Sequence, residues 1–164
     1  MTDLETPRLV LHPMTPAEAE RVAAGSPPPG ARWAPGYPSP GERGAAARHL
    51  ATCLATGDPG PFGSYEIRLR ADGMVIGGIG FHAAPDERRS VTIGYGLVES
   101  ARGQGYASEA LRALLRFARE QGVARVRGDA DTGNIASQRV MTAAGMRLVD
   151  EDASLKYYLA EWTA

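Results

Sequence analysis

At 164 residues, 43% hydrophobic and 23% charged, the chain is one domain's worth of an ordinary soluble globular protein, large enough to bury a core. A formal net charge of −1 gives no general electrostatic reason to expect nucleic acid or an anionic membrane surface, so any phosphate binding must be local. The single cysteine, Cys53, excludes an intramolecular disulfide and a cysteine-based metal cluster, and with no signal peptide or membrane-length apolar run the expected compartment is cytoplasmic.

In chain order, Pro7 ends any helix and Leu9, Val10 and Leu11 make a first strand, with His12 at its end. Thr15 is an N-cap with Pro16 at the first helical position and Glu18 three residues on, which predicts a short helix over residues 16–24. Residues 26–44 carry six prolines and four glycines, too long a loop to be a mere connector. Its large aromatics, Trp33 and Tyr37, either plug the loop onto the core or form a substrate-side wall. A second helix is predicted over residues 42–56, where Cys53 reads as a small buried hydrophobe set against a catalytic thiol. Strands over residues 65–69 and 74–81 flank the turn Ala71-Asp72-Gly73 and make a hairpin.

Residues 91–98 alternate β-branched and aromatic side chains with Gly94 and Gly96, which suits a strand that another backbone approaches closely or that carries a bulge. The turn Arg102-Gly103-Gln104-Gly105-Tyr106-Ala107 then feeds a helix whose apolar face is Ala107, Ala110, Leu111, Leu114, Leu115 and Ala118. Gly122 follows as a C′ residue, and residues 123–126 form a fifth strand, entered by a crossover that makes neighbours parallel. Asp131 to Ser137 leads into a shorter helix over residues 138–144 stopped by Gly145, and residues 146–149 and 155–162 close a hairpin.

A glycine-rich turn at a helix start presents unpaired N–H groups and the positive end of the helix dipole, which together suit a phosphate or pyrophosphate. The spacing is neither G-x-G-x-x-G nor a GKS/GKT loop, and matches R/Q-x-x-G-x-G/A instead. This stretch resembles the acetyl-CoA pyrophosphate loop of the GNAT N-acetyltransferases, and the longer string IGYGLVESARGQGYASEAL is similar to their RimJ/RimL-like, ribosomal-protein N-acetyltransferase-type branch. The opening ETPRL-x-L and the run N-x-x-S followed by RVMTAAGM resemble further blocks of that family. The resemblance implies an α/β fold in a single domain over residues 1–164. It implies a mixed central sheet of about six to seven strands, splayed between the fourth and fifth, with helices on both faces.

It also implies acetyl-CoA as co-substrate, an amine acceptor, no metal, no nucleic acid and no membrane, and it allows a homodimer. Leu97 and Val98 would line the splay and hold pantetheine, while Arg102, Gly103, Gln104, Gly105, Tyr106 and Ala107 would hold the pyrophosphate. Asn134 and Ser137 fit the positions that contact pantetheine and the departing sulfur, with helix capping as the local alternative for both. Ser137 is expected as general acid to the thiolate, and Glu66 or His82, both on the hairpin, as base to the ammonium. The family often places a glutamate before the IGY element where this chain has Thr92. That keeps a non-catalytic acyl-CoA-binding sensor or scaffold as the alternative to an N-acetyltransferase acting on a small-molecule amine or a protein N-terminus.

Overall fold

The computed structural model describes residues 2–162. Strand β1 (Leu4–Glu5) folds back on β2 (Leu9–Pro13) across a corner at which the Thr6 hydroxyl accepts the Leu9 N–H. Helix α1 (Pro16–Ala24) begins at a complete capping box, in which Thr15 accepts the Glu18 N–H and Glu18 accepts the Thr15 N–H, and it ends at Gly25 with φ 67°. Helix α2 (Pro40–Thr56) starts two residues before the predicted 42 because Pro40 occupies its first helical position.

Strands β3 (Ser64–Leu69), β4 (Val75–Phe81) and β5 (Ser90–Leu97) follow as an antiparallel meander. Helix α3 (Tyr106–Glu120) buries the predicted face of Ala107, Ala110, Leu111, Leu114, Leu115 and Ala118. Strand β6 (Arg125–Asp131) extends five residues past the predicted end, because Gly128 and Ala130 pass beneath α4 (Ile135–Ala143) and keep inward and outward positions alternating. A Cβ at Gly128 would stand 3.0 Å from the Met141 sulfur of α4, so a side chain there would press on that helix. Helix α4 itself starts three residues early, at the Asn134 cap. The edge strand β7 (Arg147–Glu151) and β8 (Leu155–Glu161) form the terminal hairpin.

The sheet has eight strands in the order β1-β2-β3-β4-β5-β6-β8-β7, above the six to seven expected because β1 adds a two-residue edge. Every neighbouring pair is antiparallel except β5 and β6. That parallel pair touches only from Ser90–Arg125 to Thr92–Arg127, while β5 runs on to Leu97 and β6 to Asp131. The two strands therefore diverge beyond Thr92, between the fourth and fifth strands of the sequence reading. Alternation decides which face each helix covers: Gly78 and Gly96 look onto Glu42 of α2, whereas Ile93 and Gly128 look onto Met141 of α4. Helices α1 and α2 thus pack on one face and α3 and α4 on the other, with Leu9, Leu11, Ile67, Leu111, Leu114 and Val126 fully buried between. Each such side chain contributes about 1.5–3 kcal/mol by leaving water.

Candidate active site

The opening in the sheet exposes main chain rather than side chains. The Val98 N–H donates to the Ile76 carbonyl (2.8 Å) and the His82 N–H to the Thr92 carbonyl (2.9 Å), so even-numbered residues of β5 turn their polar groups to β4. Those of Tyr95 and Leu97 therefore turn toward β6, where the ladder has already ended. Of the expected pair, Val98 also accepts the Ala101 N–H (3.0 Å). Leu97 faces the split together with Tyr95, and its carbonyl accepts from Arg102 Nε at 3.2 Å.

At the mouth of this split α3 begins. Gly103 and Gly105 both have positive φ, 76° and 80°, which lets the chain turn sharply into the helix. Gly105 is the N-cap and no side chain caps the helix, so its first N–H groups point outward unsatisfied beside Gly103, Gln104, Tyr106 and Ala107. A Cβ at Gly103 would meet nothing within 4 Å, which leaves the approach open to a ligand. The loop is braced from the far end of the chain. Arg8 donates from Nε to Glu109 (2.7 Å) and from Nη1 to the Gln104 carbonyl (2.8 Å), and its guanidinium lies 4.4 Å from the Tyr106 ring centroid. Thr6 donates to the same Glu109 carboxylate. Burial raises the Glu109 carboxyl, but the Thr6 and Arg8 hydrogen bonds and the Arg8 charge outweigh it and hold the group below its ordinary value. The Thr-Pro-Arg opening is therefore part of the loop's support.

Across the split, the Tyr95 hydroxyl lies 3.0 Å from the Ser137 carbonyl and 2.8 Å from Ser137 Oγ. A carbonyl only accepts, so Tyr95 donates to it and the Ser137 hydroxyl donates to Tyr95. Burial keeps the Tyr95 phenol above its ordinary value despite the bond to Ser137, so its proton stays in place at neutral pH. Asn134 accepts the Ser137 N–H through its side chain (3.1 Å), which makes it the N-cap of α4. Tyr95 was not singled out by the sequence reading, since nothing local distinguishes it within the IGYG string.

On the α2 face a cleft of about 260 Å³ runs over β4 and β5. Glu42, Arg48 and His49 of α2 line it, with His82, Tyr95, Gly96, Leu97 and Arg102 opposite. His82 stands at its exposed rim above Gly94. Burial and the Arg48 charge push its imidazole below the ordinary value against the pull of Asp129, which leaves it neutral and able to take a proton. Glu66 lies elsewhere: it is buried on β3, lines a separate cavity with Glu18, Arg32 and Trp33, and bonds to Arg68 at 3.4 Å. Burial raises its carboxyl, and Arg68 offsets only part of that.

Trp33 and Tyr37 do not line the α2 cleft. Tyr37 is 7% exposed within the core, its hydroxyl buried without a partner, and Trp33 stacks edge-on to it at 5.3 Å while its strand-like segment bridges Val75. Of the two readings of this loop, anchoring to the core is the one the packing matches. Cys53 is half-buried, 3.8 Å from His49 Nε2, and these two with the exposed Asp58 have donor atoms within 4.8 Å of one another. Burial lowers the His49 imidazole and raises the Cys53 thiol.

The sheet is mixed and opens between its parallel pair, with an uncapped glycine-rich helix start at the mouth. Residues 8–147 match the family described as Acetyltransferase (GNAT) domain, and the chain belongs to that family. It is similar to the uncharacterised N-acetyltransferase YjdG of Bacillus subtilis, 29% identical over 99 residues that span 60% of this chain and 59% of that protein. Among solved structures, an acetyltransferase from Agrobacterium tumefaciens is 25% identical with a TM-score of 0.67, covering 99% of this chain and 95% of that one. The ribosomal alpha-N-protein acetyltransferase RimL, solved in complex with coenzyme A, shares the fold at 18% identity and a TM-score of 0.69, with 98% of both chains covered. No helix among the described residues is long and apolar enough to cross a membrane.

Proposed function

We propose that the chain is an acetyl-CoA-dependent N-acetyltransferase that moves the acetyl group to a primary amine, on a small molecule or a protein N-terminus. The observation that carries this reading is the pairing of an uncapped α3 N-terminus with a split that presents the main chain of Tyr95 and Leu97. A pyrophosphate suits the first, through N–H groups and the helix dipole. An extended amide-bearing arm suits the second, as an added strand.

In this account pyrophosphate sits on the loop from Arg102 to Ala107, with Arg102 adding a charge-assisted contact. Pantetheine lies along Leu97 and Tyr95 in the split and passes Asn134 toward Ser137. The amine gives up a proton, and its free lone pair attacks the thioester carbonyl. The oxyanion that forms is held by a strand N–H near Leu97. Collapse breaks the carbon–sulfur bond and the thiolate takes a proton from Ser137; the extra proton on the amide nitrogen passes to solvent, from which the Ser137 hydroxyl is restored. Tyr95 holds the Ser137 oxygen in place by a hydrogen bond. His82, neutral and on the cleft rim, is better placed than Glu66, which is engaged by Arg68, to pass on the proton that the amine releases.

Calorimetry with acetyl-CoA tests the phosphate assignment. Gly105→Val strains a backbone at φ 80° and brings a side chain toward Arg8, whose Nη2 is 3.3 Å from an added Cβ. The expected result is a folded variant with at least tenfold weaker acetyl-CoA binding, about 1.4 kcal/mol. Unchanged affinity in a folded Gly105→Val protein would remove the pyrophosphate from this loop.

A further inference from the structure

Glu42 is a charged side chain of the cleft that is buried, at 6% exposure, and its Oε1 has no hydrogen-bond partner among the described residues. A carboxylate placed this way is costly unless a cation or donor meets it.

A local role is available to it and is not taken. Ser39-Pro40-Gly41-Glu42 has the S-x-x-E spacing of a capping box, the same pattern as Thr15 to Glu18. At α1 both reciprocal bonds form. At α2 the Ser39 side chain caps nothing, and Glu42 makes no bond back to it. The Glu42 side chain lies instead across the sheet: its Cγ is 3.3 Å from where a Cβ of Gly78 would stand, and its Oε1 3.6 Å from one at Gly96. Gly78 and Gly96 are register partners on β4 and β5. Gly78 thus leaves room for this side chain, and a Cβ at Gly96 would touch its carboxylate, against the strand whose next residue, Leu97, faces the split.

We infer that Glu42 receives the ammonium of the acceptor in the cleft between α2 and the β4–β5 ladder and takes one proton from it. This rests on the N-acetyltransferase reading for its chemistry, though not for the binding of a cation. The step balances as a transfer of one proton from RNH₃⁺ to the carboxylate, giving RNH₂ and a neutral carboxylic acid that later returns the proton to solvent. The acceptor class is a cationic primary amine. His82 lines the same cleft at its rim.

The test uses Glu42→Gln, which keeps shape and removes charge, and Glu42→Asp, which keeps charge. Thermal melts report folding, calorimetry on CoA-saturated protein reports binding of n-propylamine against n-propanol, and turnover is read with acetyl-CoA and a panel of primary amines. Glu42→Gln is expected to fold, to bind acetyl-CoA as wild type does, to bind propylamine at least tenfold more weakly with propanol unaffected, and to lose roughly 10²-fold or more in turnover. Glu42→Asp is expected to recover part of both losses. Wild-type turnover in Glu42→Gln overturns the assignment and leaves the N-acetyltransferase reading standing. A wild type that binds propylamine through Glu42 and acetylates no amine does the reverse. Protein that neither binds nor acetylates amines overturns both. If Glu42→Gln does not fold, carbodiimide labelling of Glu42 in wild type decides: protection by propylamine and not propanol supports the site, and equal labelling overturns it.

Discussion

The Ser137 hydroxyl is fixed from two sides, its N–H by the Asn134 side chain and its oxygen by Tyr95. The local and the chemical reading of Asn134 and Ser137 are therefore compatible: the cap sets the backbone, and the cap geometry aims the hydroxyl across the split. Ser137→Ala keeps the Asn134 bond, which uses main chain, and removes the hydroxyl together with its bond to Tyr95. Turnover is expected to fall by roughly 10²–10⁴-fold while acetyl-CoA affinity stays near wild type. Steady-state kinetics beside calorimetry separates the two, and an unchanged kcat would reduce Ser137 to a residue of the α4 first turn. Residues of this kind were legible in the sequence because the N-x-x-S spacing is local. Tyr95 and Glu42 were not, since one acts through a partner 42 positions away and the other through glycines on distant strands. Glu42 carries a further lesson: its spacing repeats the pattern of Glu18, yet one side chain turns back to its helix and the other into the cleft.

Among the elements, α3 was read nearly residue for residue, since its apolar face repeats at helical spacing and its glycines mark its start. What the pattern did not carry was the brace beneath it, which joins positions about a hundred residues apart through Thr6, Arg8 and Glu109. The end of β6 was missed for a related reason, since Gly128 and Ala130 look like a strand only once Met141 is above them. The brace has a pH signature. The Glu109 carboxyl lies below its ordinary value in the fold, so its stabilisation is complete above the unfolded value, about 4.5, and is lost as pH falls through the folded value. The melting temperature of wild type is expected to fall on acidification through that window, and Arg8→Ala, which lacks the main partner, to show a shallower fall. At neutral pH Arg8→Ala is expected to bind acetyl-CoA roughly tenfold more weakly, about 1.4 kcal/mol, because the loop loses its support. Parallel acid limbs in the two proteins, or equal affinities, would detach the brace from the loop.

For the molecule as a whole, the split sheet separates two approaches to one place. The nucleotide side opens at the α3 N-terminus, and the cleft over Gly78 and Gly96 opens on the α2 face, with β5 the wall common to both. In the proposed account, a thioester held along β5 is reachable by an amine that never meets the pyrophosphate loop. The fold class and the splay followed from the family resemblance that the motifs carry. The face used by the acceptor did not, because helix α2 has no sequence feature that says which side of the sheet it covers. The most direct test of the account is acetyl-CoA turnover against a panel of primary amines, following thiol release and identifying the amine product by mass spectrometry. The predicted result is thiol release that depends on the amine and yields a singly acetylated product. Tight acetyl-CoA binding with no amine-dependent release from any member of the panel would contradict it and favour a protein that holds acyl-CoA without transferring the acyl group.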